Sequence, residues 1–228
     1  MSAESTQTAT PMLRVRFAKD ASVAGLSHQE FGDLLRDAVD RAGLPVVRGG
    51  GGKARPRLVQ SPSLSLGHRS RCEYADFPLS APVPAMEFGR RLDAALPEGV
   101  RVVWQWRLQP HARHLRAATA GFCYTVPGSF DKNRAETFLK ADTWPFTRVK
   151  NGKERVLDLA RCVSKLVVHE DRIVINVRVQ QSGTPKPEEI LESVFGIPHE
   201  QAHQAPIERT SVLLVPEPRP STLDMELL

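Results

Sequence analysis

The sequence predicts an α+β protein of two tandem ferredoxin-like units, each a βαββαβ-type run with an antiparallel sheet. Three observations predict it. Period-two alternation and helical spacing take turns in the order βαββαβ from Leu13 to Leu108, and turn residues separate the segments. The second half repeats that order in outline, with one or two extra strands. The chain of 228 residues, 41% hydrophobic and 25% charged, is also long enough to bury a core without disulfide staples.

The elements justify themselves in turn. Leu13-Arg-Val-Arg-Phe17 alternates apolar and basic side chains, the pattern of a half-buried strand. Ser27 stands three residues before Glu30 as a capping box, and Leu26 can staple onto Phe31. Phe31, Leu34, Leu35, Ala38, Val39 and Ala42 follow at helical spacing until Gly43 and Pro45 stop the run. After the glycine run 49–52, residues 57–66 place Leu58, Leu64 and Leu66 on one strand face, with Pro62 marking an edge or a bulge. A strand over 71–78 precedes a helix carrying Ala85, Phe88, Gly89, Leu92, Ala95 and Leu96, and 100–106 is the next strand.

In the second half, 122–126 reads as a strand and 131–141 as a short helix. The dipeptide Asn151-Gly152 predicts a hairpin between 144–149 and 155–159. Ile173, Ile175, Val177 and Val179 form the cleanest alternation in the chain. Pro187 then opens a helix through Ile190, Leu191, Val194 and Phe195 that Gly196 ends, and 207–215 is the last strand. The expected divisions are a disordered tail over 1–11, units over 12–108 and 121–215, a linker over 109–120, and a flexible tail over 216–228.

Charge narrows the function. The net charge is +5, and it is segregated. No acidic residue lies between Asp40 and Glu73, where Arg41, Arg48, Lys53, Arg55, Arg57, Arg69 and Arg71 fall. None lies between Glu98 and Asp131, where Arg101, Arg107, Arg113 and Arg116 fall. Such segregation favours a polyanion, and Arg48, Lys53, Arg55, Arg57, Arg69 and Arg71 are the candidate nucleic-acid contacts. Trp104, Trp106 and Phe122 can stack bases beside the arginines, or pack in a core. The three cysteines, Cys72, Cys123 and Cys162, are too widely spaced for a metal knuckle and read as buried reduced thiols. With no apolar run of membrane length and no signal-peptide pattern at the N-terminus, a cytoplasmic protein without membrane association is expected.

Other chemistry is thinly represented. Gly52-Lys53 is followed by Ala54 and lacks the earlier glycine of a phosphate loop. Neither His111/His114 nor His199/His203 has a cysteine neighbour or an evident third ligand, so no physiological metal or cofactor is expected. Ser27 and His28 are the candidate groove-lining pair. A histidine at the first helical position is kept neutral, and if the protein is an enzyme, His28 is its general base.

The short motifs form a recognisable succession: Leu13-Arg-Val-Arg-Phe17, Leu26-Ser27-His28, Arg41-Ala42-Gly43-Leu44-Pro45, Arg55-Pro56-Arg57, Leu64-Ser65-Leu66-Gly67 and Glu73-Tyr74-Ala75-Asp76. Further on come 153–159, 185–196 and Glu208-Arg209-Thr210. This succession resembles the radical SAM-linked family of unknown function, whose members stand alone or follow a radical SAM enzyme as a C-terminal domain. The chain departs from it at Gln29-Glu30, where the family carries Leu-Asp, and at Gly52-Lys53-Ala54, where it carries Phe-Asn-Pro. The resemblance implies an accessory role beside a radical SAM protein, in RNA or ribosome-related modification; with the basic surface of the N-terminal half, the expected function is a non-catalytic accessory protein that binds tRNA or rRNA. Two alternatives stay open: a metal-independent RNA endonuclease like the CRISPR repeat-processing enzymes, and a module that meets an acidic protein.

Overall fold

The computed structural model describes residues 10–50, 54–110 and 112–216; Lys53 and His111 lie outside them. Strand β1 (Met12–Lys19) buries Leu13, Val15 and Phe17 on one face. Helix α1 (His28–Arg41) starts at Ser27, whose hydroxyl accepts from the Glu30 N–H at 3.2 Å while the Glu30 carboxylate accepts the Ser27 N–H at 2.8 Å. Then follow β2 (Val59–Gln60), β3 (Arg69–Pro78), α2 (Ala85–Ala95) and β4 (Val100–Arg107). The order is β4-β1-β3-β2, with every neighbour antiparallel. Phe31 and Leu35 of α1 and Phe88 and Leu92 of α2 close one apolar core over Leu13, Val15, Phe17 and Phe77.

The second half begins with the short α3 (Leu115–Ala118), then β5 (Thr119–Pro127) and α4 (Lys132–Lys140). The predicted hairpin forms as β6 (Pro145–Lys150) and β7 (Lys153–Asp158). Asn151 and Gly152 both take the positive φ of its tight turn, 51° and 72°. Next come α5 (Leu159–Cys162), β8 (Val163–Val168), β9 (Arg172–Arg178), α6 (Pro187–Phe195), α7 (His199–Gln204) and β10 (Glu208–Leu214). The order is β10-β5-β9-β8, again antiparallel throughout. Phe138 of α4 and Ile190, Leu191 and Val194 of α6 pack with Phe122, Tyr124, Ile173, Ile175 and Val177.

The α+β expectation holds, with one change. Instead of a separate sheet for each half, the halves share one largely antiparallel sheet of eight strands, because β10 hydrogen-bonds to β3, and the β6-β7 hairpin forms a small sheet of its own. That seam is parallel and short, pairing Glu208 with Arg69 and Arg209 with Ser70. β2 occupies the same edge of β3 further along, at Val59↔Asp76 and Gln60↔Ala75. The edge therefore forks, and only Val59–Gln60 of the strand predicted over 57–66 remains a strand. Cys72 and Cys162 are buried and Cys123 half-buried, all as free thiols.

Candidate nucleic-acid interface

Alternation on β1 fixes which side chains reach the sheet face opposite α1 and α2. Cross-strand partners share a face, and Arg16 pairs with Trp104, Arg14 with Trp106 and Ala18 with Arg101. Arg14 is buried against Asp76 by two bonds, 2.7 and 2.9 Å, and also donates to the Arg113 carbonyl of the segment folding back over this face. Trp106 packs edge-on to Tyr74. Trp104 is left uncovered, 62% exposed, beside Arg16. The Arg16 Nε–H donates to the Arg71 carbonyl at 3.2 Å, which ties it to β3. At this end of the sheet Arg69, Arg71 and Arg101 line a groove of about 500 Å³ with Lys19 and Glu208. Glu208 pairs with Arg71 at 2.9 Å, while Arg69 and Arg101 have no ion-pair partner among the described residues.

The candidate basic residues are thus divided between two places. Arg48 pairs with Asp40, and Arg55 with Asp33 at 3.1 Å and Asp37 at 3.8 Å, so both are turned to the acidic stripe of α1. Arg57 is exposed, and Lys53 lies outside the described residues. Arg69 and Arg71 border the open sheet face instead. The α1 stripe Asp33, Asp37, Asp40 was the signal in the sequence that could have marked these pairings.

Ser27 and His28 line a second groove of about 490 Å³, over the fork between β2 and β10. Its floor holds Arg209, 1% exposed, whose guanidinium lies over the Phe122 ring at 4.5 Å. Arg209 donates to the Pro62 and Ser63 carbonyls, to Glu73 and to the Tyr124 hydroxyl. These bonds satisfy carbonyls that the fork leaves without a strand partner. Behind the wall, buried Glu188 accepts from the Ser65 hydroxyl at 2.7 Å and stands 3.9 Å from His68 Nε2. Burial pushes the His28 imidazole below its ordinary pKa, against the pull of Glu73 and with the help of Arg209, Arg116 and Lys19. Burial does the same to His68, against Glu188. Both rings are therefore held toward the neutral form. His68, Glu188 and Arg209 escape a reading of the sequence because their partners are up to 147 residues away.

One further cluster offers metal donors. Glu192, His199 and His203 bring ligand atoms within 4.8 Å of one another at the protein surface, with His199 Nδ1 at 2.9 Å from Glu192. Glu192, on α6, is a third donor beside the two histidines that their spacing did not reveal.

A family model described as "Uncharacterized protein conserved in bacteria (DUF2344)" matches residues 12–187. The chain belongs to this family. The match takes in β1 to β9 and stops at Pro187, so Glu188, Arg209 and the whole of β10 lie beyond it. No curated protein matches the chain. Among solved structures, one described as the crystal structure of an unknown protein from Galdieria sulphuraria is similar at 11% identity and a TM-score of 0.25, over 91% of this chain and 99% of that one. No helix among the described residues is long and apolar enough to cross a membrane.

Proposed function

We propose that this protein is a non-catalytic RNA-binding accessory factor that uses the open face of its first half. The observation that carries the reading is Trp104: a large aromatic ring left 62% exposed on a sheet face, beside Arg16 and near Arg69, Arg71 and Arg101. An uncovered aromatic lets bases stack, and neighbouring arginines hold the phosphates. The ferredoxin-like reading of each half is supported by the strand order, β4-β1-β3-β2 in one and β10-β5-β9-β8 in the other. A radical SAM protein as partner, and tRNA or rRNA as the ligand, rest on the resemblance of the sequence motifs.

Binding to a structured RNA across a salt series tests this. Replacing Arg69, Arg71 and Arg101 together by Ala should flatten the slope of log K against log salt by about two units for single-stranded contacts. The control, Arg155, Arg172 and Arg178 to Ala, removes equal charge from the second half and should change the slope much less. Trp104→Ala should weaken binding by about 1–3 kcal/mol, with Trp104→Phe retaining most of it. Equal flattening by both triple variants would reduce the interface to net charge. No RNA binding at low salt would favour an acidic protein partner. Metal-free RNA cleavage that His28→Ala abolishes would replace this reading by the endonuclease, with neutral His28 as base.

A further inference from the structure

Four buried side-chain polar atoms have no hydrogen-bond partner among the described residues: His68 Nδ1, Glu188 Oε2, Arg209 Nε and Asn176 Oδ1. Three of the four meet at one place. His68 and Arg209 line the cavity over the fork, and Glu188 stands beside His68. Orphaned polar atoms are costly, and folded proteins rarely gather them in one spot. Here His68 and Arg209 line an opening of about 490 Å³, with Glu188 behind its wall, a volume within the roughly 300–1,000 Å³ of organic-ligand sites.

The surroundings specify the ligand. Each nearby carboxylate already has its own cation: Glu73 has Arg209, Glu189 has Arg148 in a two-bond pair of 2.5 and 2.6 Å, and Glu188 has Lys186 at 3.5 Å. Two helix N-termini begin on the wall, α1 at His28 and α6 at Pro187, each with one first-turn carboxylate, Glu30 or Glu189, accepting its cap N–H, and Lys186 stands at the rim. These favour an anionic head, above all a phosphate. The walls between are apolar, with Leu64, Leu66, Val179 and Pro185, so the ligand carries an organic body. The orphaned atoms include an acceptor, the Glu188 carboxylate oxygen, and a donor, the Arg209 Nε–H, with an imidazole nitrogen between roles. A rigid group that donates and accepts along one edge suits the two on the wall, His68 Nδ1 and the Arg209 Nε–H. A nucleobase is such a group.

We propose that the cavity between the two halves binds a nucleoside monophosphate, with its phosphate toward the starts of α1 and α6 and its base edge toward His68 and Arg209. The nucleotide is either free or the 5′-terminal residue of a strand. The site does not depend on the RNA-binding face around Trp104.

Calorimetric titration of the full chain with AMP, GMP, CMP and UMP tests the proposal, with adenosine and inorganic phosphate as controls. At least one nucleotide should bind saturably, ten or more times tighter than its nucleoside or phosphate alone. His28→Ala and Lys186→Met, both at the rim and checked for unchanged circular dichroism, should each weaken it about tenfold, the loss of one charge-assisted contact. Trp104→Ala should leave it unchanged. A 5′-phosphorylated hexanucleotide that displaces the nucleotide, where its 5′-hydroxyl counterpart does not, supports the site and names a strand end as the source. Failure of that strand to compete supports it with the free nucleotide as ligand. No saturable binding of any of the four up to millimolar concentration overturns the proposal, as does binding that survives both rim variants.

Discussion

His68 is the side chain through which mild acid should act on stability. It is 1% exposed, and burial pushes its pKa below the ordinary 6.5; Glu188 opposes that shift, while Arg209, Lys186 and His203 add to it. In the unfolded chain the ring takes a proton near its ordinary pKa, whereas in the fold it resists until lower pH. Between those two values the unfolded state binds more protons, so stability falls as pH falls. The contribution is complete above about pH 6.5 and is lost as pH drops through the folded pKa. His28 has the same sign from the same leading cause. The melting temperature of the wild type should therefore decline from pH 7.5 to 5.5, and His68→Gln should flatten that decline, since an amide can fill the space without titrating. Parallel curves for the two proteins would show that the acid response comes from elsewhere.

Among the elements, α1 is the one whose start is written locally. Ser27 and Glu30 exchange bonds across the first turn, and these bonds hold the Glu30 carboxyl below its ordinary pKa. Ser27→Ala should cost about 1 kcal/mol, which lowers the melting temperature of a chain this size by about 2–4 °C, and Ser27→Asp should restore most of it. An unchanged melting temperature in Ser27→Ala would mean the cap is redundant with packing of Phe31 and Leu35. Local signals of this kind made α1, α2, α6 and the Asn151-Gly152 turn legible in the sequence. The segment 57–66 was not, because it shares the edge of β3 with β10, which comes from about 140 residues later and holds that edge at Arg69 and Ser70. β8 also escaped, since a register shift between Val163 and Lys165 breaks its alternation. The site follows the same rule. The alternation of Trp104 and Trp106 places both on one face, but which ring stays open depends on Tyr74, 32 residues upstream of Trp106, covering one of them.

At the scale of the whole molecule the two halves meet through little backbone, and the buried pair of Arg209 and Glu73 bears much of the join. β3 and β10 share only the Glu208↔Arg69 and Arg209↔Ser70 pairings. Across them Arg209 reaches Glu73 at 3.1 and 3.2 Å and the carbonyls of Pro62 and Ser63, while Glu73 also accepts from the Ser61 hydroxyl. Two further links are apolar: Cys72 and Tyr74 of β3 belong to the core of the second half. Removing one member of a buried pair leaves the other charged and unpaired, at about 3–5 kcal/mol, whereas replacing both leaves no bare charge. Glu73→Leu and Arg209→Leu should each lose stability on that scale in urea unfolding, and the double variant should lose distinctly less than the two losses added. Arg209→Lys should rescue little, because an ammonium cannot span Glu73 and two backbone carbonyls as the planar guanidinium does. Trp104 and Trp106 report on the first half and Trp144 on the second, so the same samples show whether the halves still unfold together. If the two single losses add in the double variant, Arg209 and Glu73 act separately, and the seam is held by its two ladder pairings and the packing of Cys72 and Tyr74.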